Sequence, residues 1–187
     1  MKELVLVRHA PSQPEPGRPA AAWRPSSGAG ERIRALAEQL APLQVDLIVA
    51  SAEPKAVATG RGLAACLAVP YTSAPRLHEH ERGHVPLLEE HAWHDIVRRS
   101  FRHPDVLVFG RETANEARLR FGAALERALA RADVERPAVV AHGTVMSLLV
   151  AGPNGLDPFE LWCSLQMPEA WLLSWPDLAL KERITAS

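Results

Sequence analysis

The chain has 187 residues, 47% of them hydrophobic and 23% charged, with a formal net charge of −1. That length and balance suit one globular domain, residues 1–187, able to bury a core without disulfide or metal staples. They exclude a disordered chain, and the absence of a basic excess excludes a general nucleic-acid or membrane-surface binder. Cys66 and Cys163 are too few for a disulfide framework and too far apart for a zinc-ligand pair. No apolar run approaches the roughly 18 residues of a membrane span. Met1-Lys2-Glu3 leads straight into a strand-like segment, which sets the expectation of a cytoplasmic, reduced protein without a signal peptide.

In chain order, Leu4–Val7 is a short unbroken apolar run, as in a strand buried on both faces of a parallel sheet. Pro11–Pro25 holds five of the 16 prolines and reads as a surface loop. Gly28-Ala29-Gly30 lacks the third glycine and the preceding strand of a dinucleotide fingerprint, and reads as the lead into a helix. Ile33, Leu36, Ala37 and Leu40 then form one apolar helical stripe. Leu47–Ala50 is a second buried strand. A helix follows over about Glu53–Leu67, weakened by roughly 1 kcal/mol at each of Gly60 and Gly62. Pro70–Pro86, rich in His, Glu and Pro, is read as a loop. Helices are expected near Leu88–Arg99 and over Ala114–Ala132, the latter with a Glu116–Arg120 pair at i, i+4. Ala138–Ala141 is a third buried strand, and Val145–Val150 and Pro158–Leu165 are short helices. Trp171–Trp175 is a fourth strand, ended by Pro176. Trp162, Trp171, Trp175, Cys163 and Met167 are read as core and edge packing. Strands alternating with helices predict a three-layer α/β sandwich, its central sheet mostly parallel and flanked by helices.

Ligands in open α/β sheets bind beyond the carboxyl ends of the strands. Here those ends carry Arg8-His9, Ser51 with Lys55 in the next helical turn, and His142-Gly143. If the three strands are neighbours, two imidazoles, a guanidinium and an ammonium share a rim beside a helix N-terminus. That set suits a phosphate pocket rather than a metal site.

These residues resemble the histidine phosphatase superfamily, in its phosphoglycerate-mutase-like branch. Arg8-His9-Ala10-Pro11-Ser12 resembles the first signature of that family, and Ser51-Ala52-Glu53-Pro54-Lys55-Ala56-Val57-Ala58-Thr59-Gly60 the second. Leu77-His78-Glu79-His80-Glu81-Arg82-Gly83 matches the third; Glu112-Thr113 with Arg120 echoes a fourth, and Val139-Val140-Ala141-His142-Gly143 is the last. The landmarks fall in family order from Leu4 to about Val150. The resemblance implies a phosphomonoesterase that needs no metal or cofactor and acts on a small phosphate monoester. His9 would be the nucleophile, and Arg8, Lys55 and His142 would surround the phosphoryl oxygens, with Ser12 and Gly143 also at the phosphate. Glu79 would act as general acid and then base. The Nδ1–H of His9 would need a fixed acceptor such as a backbone carbonyl.

The sequence departs from the family pattern in places. Lys55 stands where the family has a second pocket arginine, although only three of the 21 basic residues are lysines. Arg61 lies too far round the helix to replace it. Gln13-Pro14-Glu15-Pro16 lacks the family's phosphate-contacting Asn and introduces Glu15, and His84-Val85-Pro86 replaces an aromatic-x-Gly. These departures keep open a catalytically weakened phosphoester-binding protein of the same fold. A phosphoglycerate-mutase-type phosphotransferase fits less well, because the chain is short for the segments that close over a retained intermediate. His80-Glu81-Arg82-Gly83-His84 also spells the H-E-x-x-H zinc-peptidase motif. That motif needs a helix, and the flanking prolines and Gly83 argue against one. The remaining histidines of this stretch, His78, His91 and His94 with His80 and His84, are read as solvated loop residues rather than pocket walls. Substrate identity and oligomeric state are not legible.

Overall fold

The structure, a computed structural model, describes residues 2–83, 85–86, 88–130 and 134–186. The chain runs β1 (Lys2–Arg8), α1 (Ala29–Leu40), β2 (Leu47–Ser51), α2 (Pro54–Leu67), β3 (Tyr71–Ala74), α3 (Glu90–Arg102) and α4 (Ala114–Ala130). It continues through β4 (Pro137–Ala141), α5 (Gly143–Ala151), α6 (Pro158–Cys163), β5 (Glu169–Trp175) and β6 (Leu180–Thr185). The strands form one sheet in the order β3-β2-β4-β1-β5-β6. The β1–β4, β4–β2 and β2–β3 pairs are parallel, whereas β5 and β6 are antiparallel to their neighbours.

Both faces of the sheet are covered, which is why β1, β2 and β4 read as continuous apolar runs. Leu4, Leu6, Val49, Val139, Trp171 and Leu173 point to one side, against Val97, Phe101, Phe121, Leu125 and Met146 of α3, α4 and α5. Val5, Val7, Ile48, Ala50, Val140 and Leu172 point to the other, against Ile33, Leu36, Leu40 and Leu63 of α1 and α2. The alternation along each strand sends successive residues to opposite layers. Two glycines that weaken α2 as a helix are required by this packing. A Cβ on Gly60 would lie 2.9 Å from both Ala50 Cβ and the Tyr71 ring, and one on Gly62 would lie 2.8 Å from Ile33. Gly28 takes φ +81° as the chain turns into α1.

Several expectations are corrected. Residues 71–74, read as part of a loop, form an edge strand on β2; Thr72 and Ser73 are exposed, so no apolar signal marks them. Strand β6 was missed for the same reason, since Lys181, Glu182 and Arg183 face solvent on the opposite edge. Helix α3 starts at Glu90 rather than Leu88 and runs on to Arg102. The expected end of α4 at Ala132 lies outside the described residues. Glu116 does not pair with Arg120. It accepts from the Thr113 N–H at 2.7 Å while its own N–H donates to Thr113 Oγ1, a capping box that starts α4. No described helix is long and apolar enough to cross a membrane.

Candidate active site

Register places three strand ends together. Arg8 of β1 stands opposite Ala141 of β4, and Val140 of β4 stands opposite Ala50 of β2. The residues that follow, His9, His142 and Ser51, therefore share the carboxyl rim of the sheet. The His9 N–H donates to Ala141 O at 3.1 Å, carrying the ladder one residue past the strand.

The two imidazoles meet with ring centroids 5.2 Å apart and planes at 62°. His9 Nδ1 lies 2.7 Å from Ala10 O, so it donates there and leaves Nε2 as the bare lone pair. The Ala10 carbonyl is itself held in place. Ala10 N–H donates to Thr59 Oγ1 at 2.9 Å, and that hydroxyl donates to Lys55 O at 2.8 Å. His142 is fully buried, with Nε2 2.8 Å from Ser51 Oγ and Nδ1 without a partner among the described residues. Burial, followed by the neighbouring His142, holds the His9 pKa well below its ordinary value. For His142, burial reinforced by Lys55 and Arg82 lowers it to about 3 against the pull of Glu79. Both rings are neutral at physiological pH.

Arg8 donates from Nη1 to Leu165 O at 2.9 Å, and its Nε has no partner among the described residues. Gly143 makes room for it: a Cβ at 143 would sit 3.1 Å from Arg8 Nε. The glycine of the His-Gly pair is thus set by a guanidinium. Glu79 caps the start of α5, accepting from the Thr144 and Val145 N–H groups at 3.1 and 3.2 Å and from His80 N–H at 2.9 Å. Burial pushes the Glu79 carboxyl up, but Arg82, with Nη2 3.6 Å away, and these amides outweigh it and hold it at about 2. A second carboxylate, Glu53, reaches in from the residue before α2. It accepts from the Glu79 N–H at 2.9 Å, lies 3.6 Å from His142 Nε2, and is ion-paired to Lys55.

The loop that bears Glu79 is held by a buried fork. Arg120 of α4 grips Glu112 with Nε at 3.0 Å and Nη2 at 2.6 Å, and donates to the carbonyls of Arg76, His78 and Glu79. Glu112 in turn accepts from the Glu81 N–H at 2.9 Å.

A cavity of about 610 Å³ opens onto this rim and is lined by Arg8, His9, Ser12, Lys55, Glu79 and Gly143. His142 lies beneath it rather than in its wall. Glu15 is absent from the lining and pairs instead with Arg18 at 3.2 Å on the outer loop. Arg61 stacks on Tyr71 at 5.7 Å, away from the site. Four features escaped sequence reasoning: Arg82, Glu53, Thr59 and the tryptophan wall of Trp23, Trp93 and Trp162. The only signal for Glu53 and Thr59 was their place inside the second landmark. Trp162, read simply as packing, does touch the core but also faces the cavity.

The histidine-rich stretch is corrected as well. His80 is buried, its ring tilted at 40° against Phe109 with centroids 4.6 Å apart. His78 faces the cavity and lies 3.2 Å from Glu81, while His91 is exposed and His94 packs edge-on against Trp162. Residues 80–83 are not helical, and His80 and Glu81 are turned to Phe109 and His78. Among its described residues, the H-E-x-x-H string forms no helical zinc-binding face. His84 lies outside the described residues.

Comparison with solved structures yields the same fold across the whole chain. A mycobacterial glucosyl-3-phosphoglycerate phosphatase, in a complex with VO3, has a TM-score of 0.76 at 18% identity, with 100% of both chains covered. The α-ribazole phosphatase of Shigella flexneri has a TM-score of 0.68 at 19% identity, covering 99% of this chain and 96% of the other. No curated protein sequence matches the chain. The family model of the histidine phosphatase superfamily, branch 1, matches residues 4–173, and the chain belongs to that family.

Proposed function

We propose that the protein is a phosphomonoesterase acting through a phosphohistidine on His9. The observation that carries this reading is the His9–Ala10 contact at 2.7 Å, because it commits Nδ1 and leaves an uncharged nucleophilic Nε2 on the cavity. Nε2 attacks phosphorus as the ester P–O bond breaks, and the departing alkoxide takes a proton from Glu79. Glu79, now a carboxylate, draws a proton from water as that water attacks phosphorus. The P–N bond breaks, releasing inorganic phosphate and neutral His9.

Glu79 is ionised in the free site, which suits the second step at once. For the first step it must be loaded. A phosphoryl group drawn to Arg82 competes for the cation that holds Glu79 down and adds a like charge, and both effects raise its pKa. The proton then comes with the substrate as its monoanion. The two named structural relatives act on a sugar-linked phosphoglycerate and on α-ribazole phosphate, which supports a small phosphate ester as substrate class.

The ion pair between Lys55 and Glu53 favours a second reading, phosphoester binding without turnover, since it leaves less positive charge for the ligand. One experiment separates the two: hydrolysis of p-nitrophenyl phosphate by wild type and His9→Ala, with a denaturing alkaline quench, under which an acid-labile phosphohistidine survives, and 31P NMR to detect a phosphorus–nitrogen bond. Turnover and an N-linked phosphate, both lost in His9→Ala, are expected. Vanadate binding without turnover would establish the binding module.

A further inference from the structure

We propose that Arg82 is a catalytic residue, the second guanidinium of the phosphoryl site, closing with Arg8 on the transferring group, while Lys55 is a positioning residue. The inference rests on the phosphomonoesterase reading above and assigns the cation that this reading leaves open.

The Arg82 side chain is mostly buried, with 24% of it exposed, yet its guanidinium makes no hydrogen bond to any described residue. Its ion-pair partner, Glu79 Oε2, is 3.6 Å from Nη2, beyond hydrogen-bond length. Its Nε is buried without a partner among the described residues. A guanidinium carries five N–H donors in a planar fork that matches phosphate oxygens two at a time. Buried donors left unsatisfied in a folded protein mark a place where something else supplies the acceptors. The side chain lines the same cavity as His9 and Arg8. Arg8 likewise keeps an Nε with no partner among the described residues. Two guanidinium groups brought to one hollow, each with unspent donors, form a site for a doubly charged anion.

The fork is also held ready. It stacks on the Trp93 ring with Cζ 4.3 Å from the centroid, and Trp93 rests edge-on against Phe109, 5.3 Å away. Preorganised donors of this kind stabilise charge without rearranging at the moment of reaction.

Lys55 is arranged differently. Its ammonium donates to Ala20 O at 2.7 Å and is ion-paired to the Glu53 carboxylate. Most of its charge is met before any ligand arrives. Its main effect is to hold Glu53, and through it the Glu79 backbone N–H, in place. The phosphoryl clamp therefore joins a strand end to the acid-bearing loop. Substrate binding and the protonation of Glu79 are read by one guanidinium.

The test compares Arg82→Ala, Arg82→Lys and the paired variant Lys55→Met/Glu53→Gln with wild type and His9→Ala. The readouts are kcat and KM for p-nitrophenyl phosphate, inhibition by vanadate, and rescue by free guanidinium. Arg82→Ala is expected to lower kcat about 100-fold and to weaken vanadate about tenfold. Arg82→Lys, which keeps the charge and the contact with Glu79, is expected to recover only part of either loss. Free guanidinium should restore turnover to Arg82→Ala and not to His9→Ala. The paired variant should hold its vanadate affinity better than Arg82→Ala. Wild-type kcat and vanadate affinity in Arg82→Lys, or in a folded Arg82→Ala, would overturn the assignment. So would a larger loss of vanadate affinity in the paired variant. A wild-type protein without turnover would instead refute the phosphatase reading, and the vanadate arm would still decide whether Arg82 holds the anion.

Discussion

The two halves of the site are built by different means. Arg8, His9 and His142 sit at the ends of β1 and β4, where parallel register alone brings them side by side. Glu79 and Arg82 sit in irregular chain after β3, and side chains from far away hold that chain in place. Arg120 of α4 and Glu112 just before that helix clamp its carbonyls and amides, Glu53 reaches Glu79 from the residue before α2, and the first turn of α5 receives the Glu79 carboxylate. The strand-end half, which holds the proposed nucleophile, inherits the rigidity of the core. The loop half, which holds the proposed acid, depends on a handful of buried polar contacts, each with a single point of failure.

The sharpest way to break that contrast is Arg120→Ala. It strands the buried Glu112 carboxylate and frees the 76–81 segment, so about 3–5 kcal/mol of stability should go. Turnover should fall about 100-fold as Glu79 loses its position. Urea melts and single-turnover rates measure the two losses separately, and phosphohistidine formation unchanged in rate would show that the loop does not need the clamp.

A pH series probes the strand-end half. His9 and His142 both have folded pKa values below the ordinary 6.5, so under pH 6.5 the unfolded chain takes up protons that the folded chain refuses. Stability is full above that pH and declines as it falls, for His142 down toward about 3, by up to about 1.4 kcal/mol per pH unit for that ring, with His9 adding a loss of the same sign. Glu79, held at about 2 against an ordinary 4.5, adds a loss below pH 4.5. His142→Asn should flatten the slope between pH 6.5 and 4.5 by one ring's worth. An unchanged slope would mean that His142 does not stay neutral in the folded protein.

Gly143→Ala tests the seam between the halves. The added methyl would crowd Arg8 at about 3.1 Å, and kcat/KM is expected to fall about tenfold with little change in Tm. The smallest effect is expected from Lys55→Arg. From sequence alone, restoring an arginine there reads as a gain in phosphate grip. The geometry predicts none, because the slot between Glu53 and Ala20 O is already filled and a bulkier head group overpacks it by about 1 kcal/mol or more. Measured activity above wild type would return the phosphate-binding role to position 55.

The same contrast explains what could be read before any coordinates. His9 and His142 were legible because an apolar run announces a buried strand, and the residue after it must lie at the rim. Glu79 was legible only through its motif. Arg82 stood in the same motif, but sequence offers no sign of which loop side chains turn inward, and its neighbours spelled a different, metal-binding string. The pairing of Lys55 was beyond reach, since it depends on a carbonyl 35 residues earlier in the chain. Strands β3 and β6 were lost because edge strands carry polar residues where central strands carry apolar ones. The pairing of Arg120 with Glu112 rather than Glu116 turned on competition: Glu116 had a helix cap to make.

Three of the five tryptophans, Trp23, Trp93 and Trp162, face the cavity, and a guanidinium rests on one of them. The molecule thus carries its own optical reporter. An oxyanion that binds the Arg82 guanidinium stacked on the Trp93 indole is expected to alter the emission of that ring, while Trp171, sealed in the core, supplies a steady background. Occupancy can be followed in unlabelled protein, with candidate metabolites screened by light before any product is assayed.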